Sequence, residues 1–209
     1  MHYALQGTLL GSLDPSVDPT FAGSTRLGLD DRSTGFELDG DDAWVELVPG
    51  WVAGADRLFD DLLDGIQWEG RRVHMYDKVL DQPRLNGSLD VETRPEIVER
   101  MRCLLSGRYG VEFTSVRANL YRDGRDSVAW HGDRVARDLP QALVAIVSLG
   151  GRRRFLLRPK GGGRSVRLDP GPGDLLVMGG ACQRTWQHSV AKVASAEPRI
   201  SLTFRHAYE

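Results

Sequence analysis

The chain has 209 residues, a length that suits one domain with a full hydrophobic core. Its apolar fraction of 41% and charged fraction of 27% are ordinary for a globular protein, and its net charge of −2 excludes a protein that is basic throughout. No apolar run approaches the roughly 20 residues of a membrane span, and the N-terminus carries no signal-peptide pattern. We therefore expect a cytoplasmic monomer without a membrane partner, in which Cys103 and Cys182 are structural thiols.

The first part of the chain divides into two predicted regions. Residues 1–42 are rich in glycine, aspartate, serine and threonine, which predicts an extended N-terminal arm with little regular structure. Residues 43–110 form the second region. It begins with a short strand at 43–48 and continues with a helix at 55–66, where apolar residues recur at helical spacing.

A second helix is predicted to begin at Thr93. The Thr93 hydroxyl can cap this helix while Glu96, three residues later, bonds back to the cap. Apolar residues then recur at helical spacing, and Gly107 and Gly110 suit the end of the helix.

Residues 111–209 change to the pattern of a β-rich core. Turn signals such as DG, GG, GGG and PGPGD separate short runs of strand-forming residues. The predicted fold is mainly β with flanking helices (α+β), a jelly roll whose one sheet is covered by the two helices. The predicted strands are residues 113–121, 127–131, 142–149, 154–158, 165–168, 174–178, 185–189 and 200–205.

Three residues have the chemistry of a metal site. His131 and Asp133 lie two positions apart at a predicted strand end, so both side chains point to the same side. His188, on a strand distant in sequence, completes a set of two histidines and one carboxylate, which is typical of non-haem iron. The alternatives are a surface histidine beside an aspartate for the pair, and a buried core histidine for His188.

The last predicted strand carries a candidate receptor for a carboxylate. Arg199, Ser201 and Arg205 alternate onto one face, and a guanidinium with a hydroxyl binds a carboxylate well. An ideal strand separates the two arginines by roughly 20 Å, so both reach one ligand only if their side chains fold inward. The alternative is a pair of surface arginines on an edge strand.

Residues 152–168 contain seven arginines and lysines and no acid. Arg158 and Lys160 flank a glycine-rich hairpin tip, which predicts contacts with a nucleic-acid backbone. GGGRS lacks the GK[ST] ending of a phosphate-binding loop. A solvated arginine-rich loop is the alternative.

Five segments, taken in order, resemble the AlkB family of dioxygenases. The resemblance runs from about residue 111 to residue 206, nearly half of the chain, and the set is specific although no single segment is. It implies a double-stranded β-helix (jelly roll) fold, iron(II) as the metal, 2-oxoglutarate as the cosubstrate and O2. The segments are NLYRDGRDSVAWHGD, VSLGGRRRFLLR, PGDLLVMGG, TWQHSV and PRISLTFR.

The same resemblance implies a role for each matching residue. His131, Asp133 and His188 match the iron ligands of the family. The matches at or between the family's 2-oxoglutarate positions are Asn119, Tyr121, Arg199, Ser201 and Arg205.

Residues 71–85 resemble the family's nucleotide-recognition segment, in which Tyr76 and Arg84 match positions near the substrate; a surface hairpin is the alternative. The chain departs from the family in two places. Residues 86–89 replace a common aromatic-glycine pair, and Val135 replaces a common acid two positions after Asp133. Both departures concern the choice of base and leave the predicted metal and cosubstrate residues intact.

The resemblance implies oxidative demethylation of N-alkylated bases such as 1-methyladenine and 3-methylcytosine in single-stranded DNA, as a step of DNA repair. Two alternatives stay open. The same chemistry can act on RNA, a protein or a small molecule, or the chain can be a non-catalytic nucleic-acid-binding module. The complete set of predicted ligands and arginines favours the enzyme.

Overall fold

The computed structural model describes residues 14–29, 42–75, 78–133 and 141–206. The helices are α1 (Ala55–Gly65), α2 (Glu96–Tyr109) and the short α3 (Cys182–Thr185). The strands are β1 (Ser16–Val17), β2 (Thr25–Gly28), β3 (Trp44–Val48), β4 (Val52–Ala53), β5 (Glu69–Met75), β6 (Lys78–Ser88), β7 (Phe113–Tyr121), β8 (Val128–His131), β9 (Val144–Gly150), β10 (Phe155–Pro159), β11 (Val166–Leu168), β12 (Leu175–Gly179), β13 (Trp186–Val190) and β14 (Arg199–His206).

Two sheets dominate this part of the chain. The large sheet has the order β2-β3-β12-β9-β14-β7-β6-β5, and the small sheet has the order β11-β10-β13-β8. All eight strands predicted after residue 111 form, with bounds that differ by no more than two residues from those predicted. The expectation of a mainly β fold with flanking helices is confirmed.

The two faces of the large sheet differ in polarity, because successive side chains of a strand point to opposite faces. One cross-strand row is apolar and faces the helices, and the adjacent row is polar and faces the small sheet. The apolar row is Leu85, Leu120, Ile200 and Leu149. The polar row is Asn86, Asn119, Ser201 and Ser148.

Helices α1 and α2 cover the apolar face, as predicted. Leu58 and Leu62 of α1 are buried against β9 and β14, and α2 packs on β7 through residues such as Met101. The predicted start of α2 at Thr93 is wrong, since the helix begins after Pro95 and no side chain caps it. A residue before proline is disfavoured in the helical region, so the helix starts only beyond this position.

The N-terminal residues that the structure describes contribute to the sheets. β2 pairs with β3, which pairs with β12, and Val17, Phe21 and Leu29 are buried. Residues 14–29 of the expected extended arm contain two short strands, and their apolar side chains give the segment a buried face. The three-part division of the chain stays a prediction. Among the described residues, no helix has both the length and the apolar character needed to cross a bilayer.

Candidate active site

A cavity of about 830 Å³ lies between the polar face of the large sheet and the inner face of the small sheet. The strands β7 and β14 supply one wall, and β8, β10 and β13 supply the other. Both walls carry residues that the sequence singled out, so the fold brings segments distant in sequence to one cavity. The predicted site residues that line it are Arg84, Asn119, Tyr121, His131, Asp133, His188, Arg199, Ser201 and Arg205.

His131, Asp133 and His188 form a compact group of donor atoms. His131 on β8 is the register partner of His188 on β13, which places both imidazoles on the cavity face. One donor atom from each of the three residues lies within 4.8 Å of the others. The ring centroids of the two histidines are 4.2 Å apart, and Nε2 of His131 is 3.9 Å from Oδ1 of Asp133. Such a group could hold a metal ion on one side and leave the cavity side open.

The protonation of the three side chains suits metal binding. Nδ1 of His131 lies 2.8 Å from the carbonyl oxygen of Ala129, which can only accept, so Nδ1 carries the hydrogen and Nε2 keeps its lone pair. Burial lowers the pKa of His188 to about 3, so this imidazole is neutral near pH 7. Burial alone would raise the pKa of Asp133, but the Arg205 guanidinium and the two histidines outweigh it and lower that pKa. Two imidazoles and one carboxylate anion are the donor set that iron(II) takes.

Two residues that the sequence did not single out hold these ligands in place. The Gln183 side chain is buried, and its Oε1 accepts a hydrogen bond of 2.8 Å from the Asp133 amide. The Phe155 ring stacks on His188 with centroids 5.2 Å apart and an interplanar angle of 18°. Contacts like these fix the orientation of metal ligands. No local sequence motif identifies either residue, because both reach the site only through tertiary packing.

Arg199 is a buried cation that pairs with no anion among the described residues. Its side chain is 1% exposed, and its Nε and Nη2 donate to the Ser148 hydroxyl at 3.0 and 2.8 Å. The Tyr121 ring lies 5.3 Å from the guanidinium, and no carboxylate pairs with Arg199 among the described residues. Burial lowers the pKa of Arg199 below its ordinary value. A ligand carboxylate at this end of the cavity would supply the missing charge.

Arg205 lies at the other end of the same strand face. Its Nη2 is 3.2 Å from Oδ1 of Asp133, so it contacts the group of metal donors. Arg199 and Arg205 therefore face different parts of the cavity, which resolves the spacing difficulty seen in the sequence. The sequence analysis missed Ser148. A serine inside the apolar strand VAIVSLG could have indicated a residue that faces the cavity.

Tyr121 lies beside Arg199 on the neighbouring strand, and Asn119 and Ser201 lie on the wall between the two arginines. The Oδ1 atom of Asn119 accepts a hydrogen bond of 3.1 Å from Nε of Arg84, and Ser201 is the register partner of Asn119. Arg84 therefore lies in the cavity wall beside the candidate cosubstrate residues. The wall offers an amide, a phenol and a hydroxyl, which can orient a dicarboxylate through hydrogen bonds.

The other predicted substrate residues lie elsewhere. Arg158 and Lys160 belong to the small sheet and its hairpin tip and do not line the cavity. Tyr76 and Val135 lie outside the described residues. Neither cysteine forms a disulfide; Cys103 is exposed and Cys182 is buried.

Comparisons with known proteins agree with this geometry. A family model described as the 2OG-Fe(II) oxygenase superfamily matches residues 62–205. The alpha-ketoglutarate-dependent dioxygenase alkB homolog 3 of Bos taurus is 33% identical over 193 residues, which cover 78% of this chain and 66% of that protein. The chain thus spans about two thirds of the length of this relative. The DNA oxidative demethylase ALKBH2 of Homo sapiens is 30% identical over 179 residues, which cover 73% of this chain and 69% of that protein.

Two solved structures share the fold at low sequence identity. The prolyl hydroxylase of Trichoplax adhaerens aligns with a TM-score of 0.57 at 12% identity, covering 78% of this chain and 83% of that one. The structure of OsALKBH1 aligns with a TM-score of 0.54 at 15% identity, covering 82% and 99%. They confirm the jelly-roll architecture. The expected cofactors, iron(II), 2-oxoglutarate and O2, are those of the matched family. The extent of the family match and the identity to these relatives show that the chain belongs to the AlkB family of 2OG-Fe(II) oxygenases.

Proposed function

We propose that this chain is an iron(II)- and 2-oxoglutarate-dependent dioxygenase that demethylates N-alkylated bases such as 1-methyladenine and 3-methylcytosine in DNA. The main support for the proposal is that one cavity contains two features. It holds the donor group of His131, Asp133 and His188, and it holds the buried cation of Arg199 without an anionic partner. The names of the relatives, a dioxygenase and a DNA oxidative demethylase, support it.

In this proposal the three donor residues hold iron, and Arg199 binds the distal carboxylate of 2-oxoglutarate. When bound, the metal and the keto acid supply the O2-dependent oxidation that hydroxylates an N-methyl group, after which the base is released with loss of formaldehyde. Arg205 keeps Asp133 oriented and ionised through its contact of 3.2 Å. Asn119, Tyr121 and Ser201 would orient the keto acid between the two ends of the cavity, as catalysis by positioning requires.

Part of the packing around the donor group is apolar. Phe155 lies flat against His188, which is buried, and Ile146 and Val190 also line the cavity. These apolar side chains limit the access of water to His188 on this side of the cavity.

The substrate assignment rests on access and charge. A methylated base must leave the stack before it enters a buried cavity, and a single strand makes this less costly by a few kcal/mol. Arg84, in the cavity wall, would face the incoming base, and Arg158 and Lys160 would contact phosphates outside the cavity. Tyr76 would stack on the cationic base. We propose single-stranded DNA as the partner and a cytoplasmic monomer as the working form.

The test uses the full chain loaded anaerobically with iron(II). Single-stranded DNA and RNA oligonucleotides that carry 1-methyladenine or 3-methylcytosine are incubated with it, 2-oxoglutarate and ascorbate in air, and mass spectrometry follows the loss of methyl groups. We expect demethylation of the DNA that depends on 2-oxoglutarate. Demethylation of RNA alone would change the substrate. Strong succinate production with an unrelated substrate and no action on any oligonucleotide would refute nucleic acid as the substrate.

A further inference from the structure

Arg153 is a second buried arginine close to the cosubstrate wall. It lies in the turn between β9 and β10 and is 3% exposed. Its guanidinium carbon is 5.6 Å from the centroid of the Tyr121 ring, and that of Arg199 is 5.3 Å from the same centroid. The described residues that line the cavity include Tyr121 and Arg199 but not Arg153. Arg153 can therefore influence a ligand in the cavity only through its neighbours.

The guanidinium of Arg153 joins two loops. Its Nη1 donates to the carbonyl oxygen of Asp123 at 3.0 Å, and its Nη2 donates to that of Asp126 at 2.8 Å. Both carbonyl groups belong to the loop between β7 and β8. Nη2 also donates, at 2.7 Å, to the carbonyl oxygen of Ala191 in the loop between β13 and β14. One side chain thus holds the backbones of both loops together.

Each of these loops connects a candidate cosubstrate residue to a candidate metal ligand. The first runs from Tyr121, the last residue of β7, to the strand that carries His131. The second runs from the strand that carries His188 to Arg199, the first residue of β14. Tyr121 and Arg199 are also register partners. Arg153 therefore fixes the backbone at the end of the cavity where these two residues meet.

The charge of Arg153 has no anionic partner among the described residues. The carbonyl groups satisfy its hydrogen bonds without a net charge, and the carboxylate of Asp126 binds Arg122 instead. Burial lowers the pKa of Arg153 below its ordinary value. Arginine stays protonated in proteins, so Arg153 and Arg199 place two cations beside one buried tyrosine. A ligand carboxylate next to Tyr121 would offset part of the cost of burying them.

We propose that Arg153 is a positioning residue for 2-oxoglutarate, which holds the Tyr121 side chain and the loop after it so that the Tyr121 hydroxyl meets the keto acid bound by Arg199. The inference rests on the proposed function, in which Tyr121 and Arg199 bind this cosubstrate. A planar guanidinium suits the task, because its fixed fork of donors reaches the carbonyl groups of two loops at once. An ammonium group is compact and does not have this fork.

The test measures the affinity for 2-oxoglutarate by calorimetric titration into the full chain loaded anaerobically with iron(II). Arg153→Gln removes the charge and the fork, and it should weaken 2-oxoglutarate binding about tenfold, the effect of one misplaced hydrogen bond to a charged ligand, while iron(II) affinity is unchanged. Arg153→Lys keeps the charge and should weaken binding by a smaller factor. Arg94→Gln is the matched control and should leave the affinity unchanged. Arg94 is also buried and donates to a backbone carbonyl, that of Leu89, but among the described residues it contacts neither Tyr121 nor Arg199.

A double-mutant cycle separates positioning through Tyr121 from a structural role alone. Tyr121→Phe keeps the ring that both guanidinium groups contact and removes the hydroxyl, so it should itself weaken 2-oxoglutarate binding about tenfold. If Arg153 acts through that hydroxyl, adding Arg153→Gln to Tyr121→Phe should weaken binding no further. Independent losses, which would multiply to about a hundredfold in the double variant, would overturn the inference.

The wild-type titration tells a failure of this inference from a failure of the proposed function. If wild type and Arg153→Gln bind 2-oxoglutarate equally, the positioning role is overturned and the activity stands. If the expected cycle is found but wild type demethylates nothing, the positioning role is supported and the demethylation is refuted. A wild-type chain that binds no 2-oxoglutarate would refute both. If Arg153→Gln does not fold, judged by circular dichroism, Arg153→Lys with and without Tyr121→Phe decides the question in the same way.

Discussion

At the scale of single residues, the buried guanidinium of Arg199 defines the end of the cavity. Ser148 and Tyr121 contact it, and no carboxylate does among the described residues. Arg199→Ala should leave iron binding intact and weaken 2-oxoglutarate binding by a hundredfold or more, because a buried carboxylate that loses its cation costs about 3–5 kcal/mol. Anaerobic calorimetric titration of 2-oxoglutarate into the metal-loaded variant measures this, with Arg100→Ala as control. An unchanged dissociation constant would place the carboxylate receptor elsewhere.

Gln183 gives a second prediction for a single residue, because it positions the metal ligand Asp133 without being a ligand itself. Its Oε1 accepts from the Asp133 amide at 2.8 Å, and its Nε2 contacts the sulfur of Met178. Gln183→Leu should reduce iron(II) affinity by about 10- to 100-fold, the usual effect of losing a contact that orients a metal ligand. Gln187→Leu is the matched control, since that side chain faces the opposite side of the sheet. Equal iron affinity in the two variants would show that Gln183 has no positioning role.

The candidate site residues could be predicted from the sequence where residues of suitable chemistry occur at the two-residue spacing of a strand face. His131 ends β8 and Asp133 follows it two positions later, and Arg199, Ser201 and Arg205 share a face by alternation. Gln183, Phe155 and Ser148 were missed, because their contacts with the site are set by tertiary packing and register, which a sequence pattern does not specify.

At the scale of elements, the turn between β11 and β12 is hydrogen-bonded to Ser148 of β9. Gly173 has φ of +82°, and its amide donates to the Ser148 carbonyl at 2.8 Å. A Cβ at this position would lie 2.4 Å from the carbonyl oxygen of Val52. Gly173→Ala should therefore destabilise the fold by about 2 kcal/mol or more, through backbone strain and the clash. Urea denaturation measures it.

Gly161 is the control for this prediction, since a Cβ there meets no atom within 4 Å. Gly161→Ala should unfold at nearly the same urea concentration as wild type. A Gly173→Ala variant as stable as Gly161→Ala would mean that the turn relaxes at no cost.

Strand positions were predictable because turn residues and alternation mark them; residues 113–121 were predicted with their observed bounds. The start of α2 was not, because Thr93 fits a capping pattern that Pro95 overrides. Strands β5 and β6 form a hairpin, which was the alternative to a nucleotide-recognition segment at residues 71–85. A hairpin and a recognition segment are compatible, since β6 brings Arg84 to the cavity.

At the scale of the whole molecule, Glu46 joins three elements. This carboxylate on β3 is 1% exposed and accepts hydrogen bonds from Ser24, from Arg26 at 2.7 Å and from Arg108 of α2 at 2.9 Å. Burial alone would raise the pKa of Glu46, but these three donors outweigh it and lower the pKa below its ordinary value. The cluster ties the N-terminal strands and α2 to the large sheet.

A carboxyl group with a lowered pKa stabilises the fold above its unfolded-state pKa, and this contribution is lost as the pH falls through the folded-state value. Glu46→Gln should therefore lower the free energy of unfolding by about 1–3 kcal/mol at pH 7, since it weakens charge-assisted hydrogen bonds to a buried group. The difference from wild type should shrink below about pH 4. Chemical denaturation at several pH values measures both. A difference that stays constant down to pH 3 would contradict an ionised Glu46.

The architecture of the whole chain was predictable from the number and spacing of short strands and from the resemblance of the segments after residue 111. The pairing of residues 14–29 with the large sheet could not be predicted from the sequence. Glu46 lies between apolar neighbours in the run AWVELV, and nothing local indicates that Arg26 and Arg108 converge on it. Long-range ion pairs of this kind follow from the folded topology.

In the proposed reaction, His131, Asp133 and His188 hold the iron that demethylates the base. The direct measurement is the yield of formaldehyde and succinate from single-stranded DNA carrying 3-methylcytosine, for wild type and Asp133→Ala with equal secondary structure. Wild type should release one formaldehyde for each methyl group removed, only in the presence of iron(II) and 2-oxoglutarate. Asp133→Ala, which lacks one of three protein ligands, should release none. Undiminished formaldehyde from Asp133→Ala would contradict the assignment of the metal site.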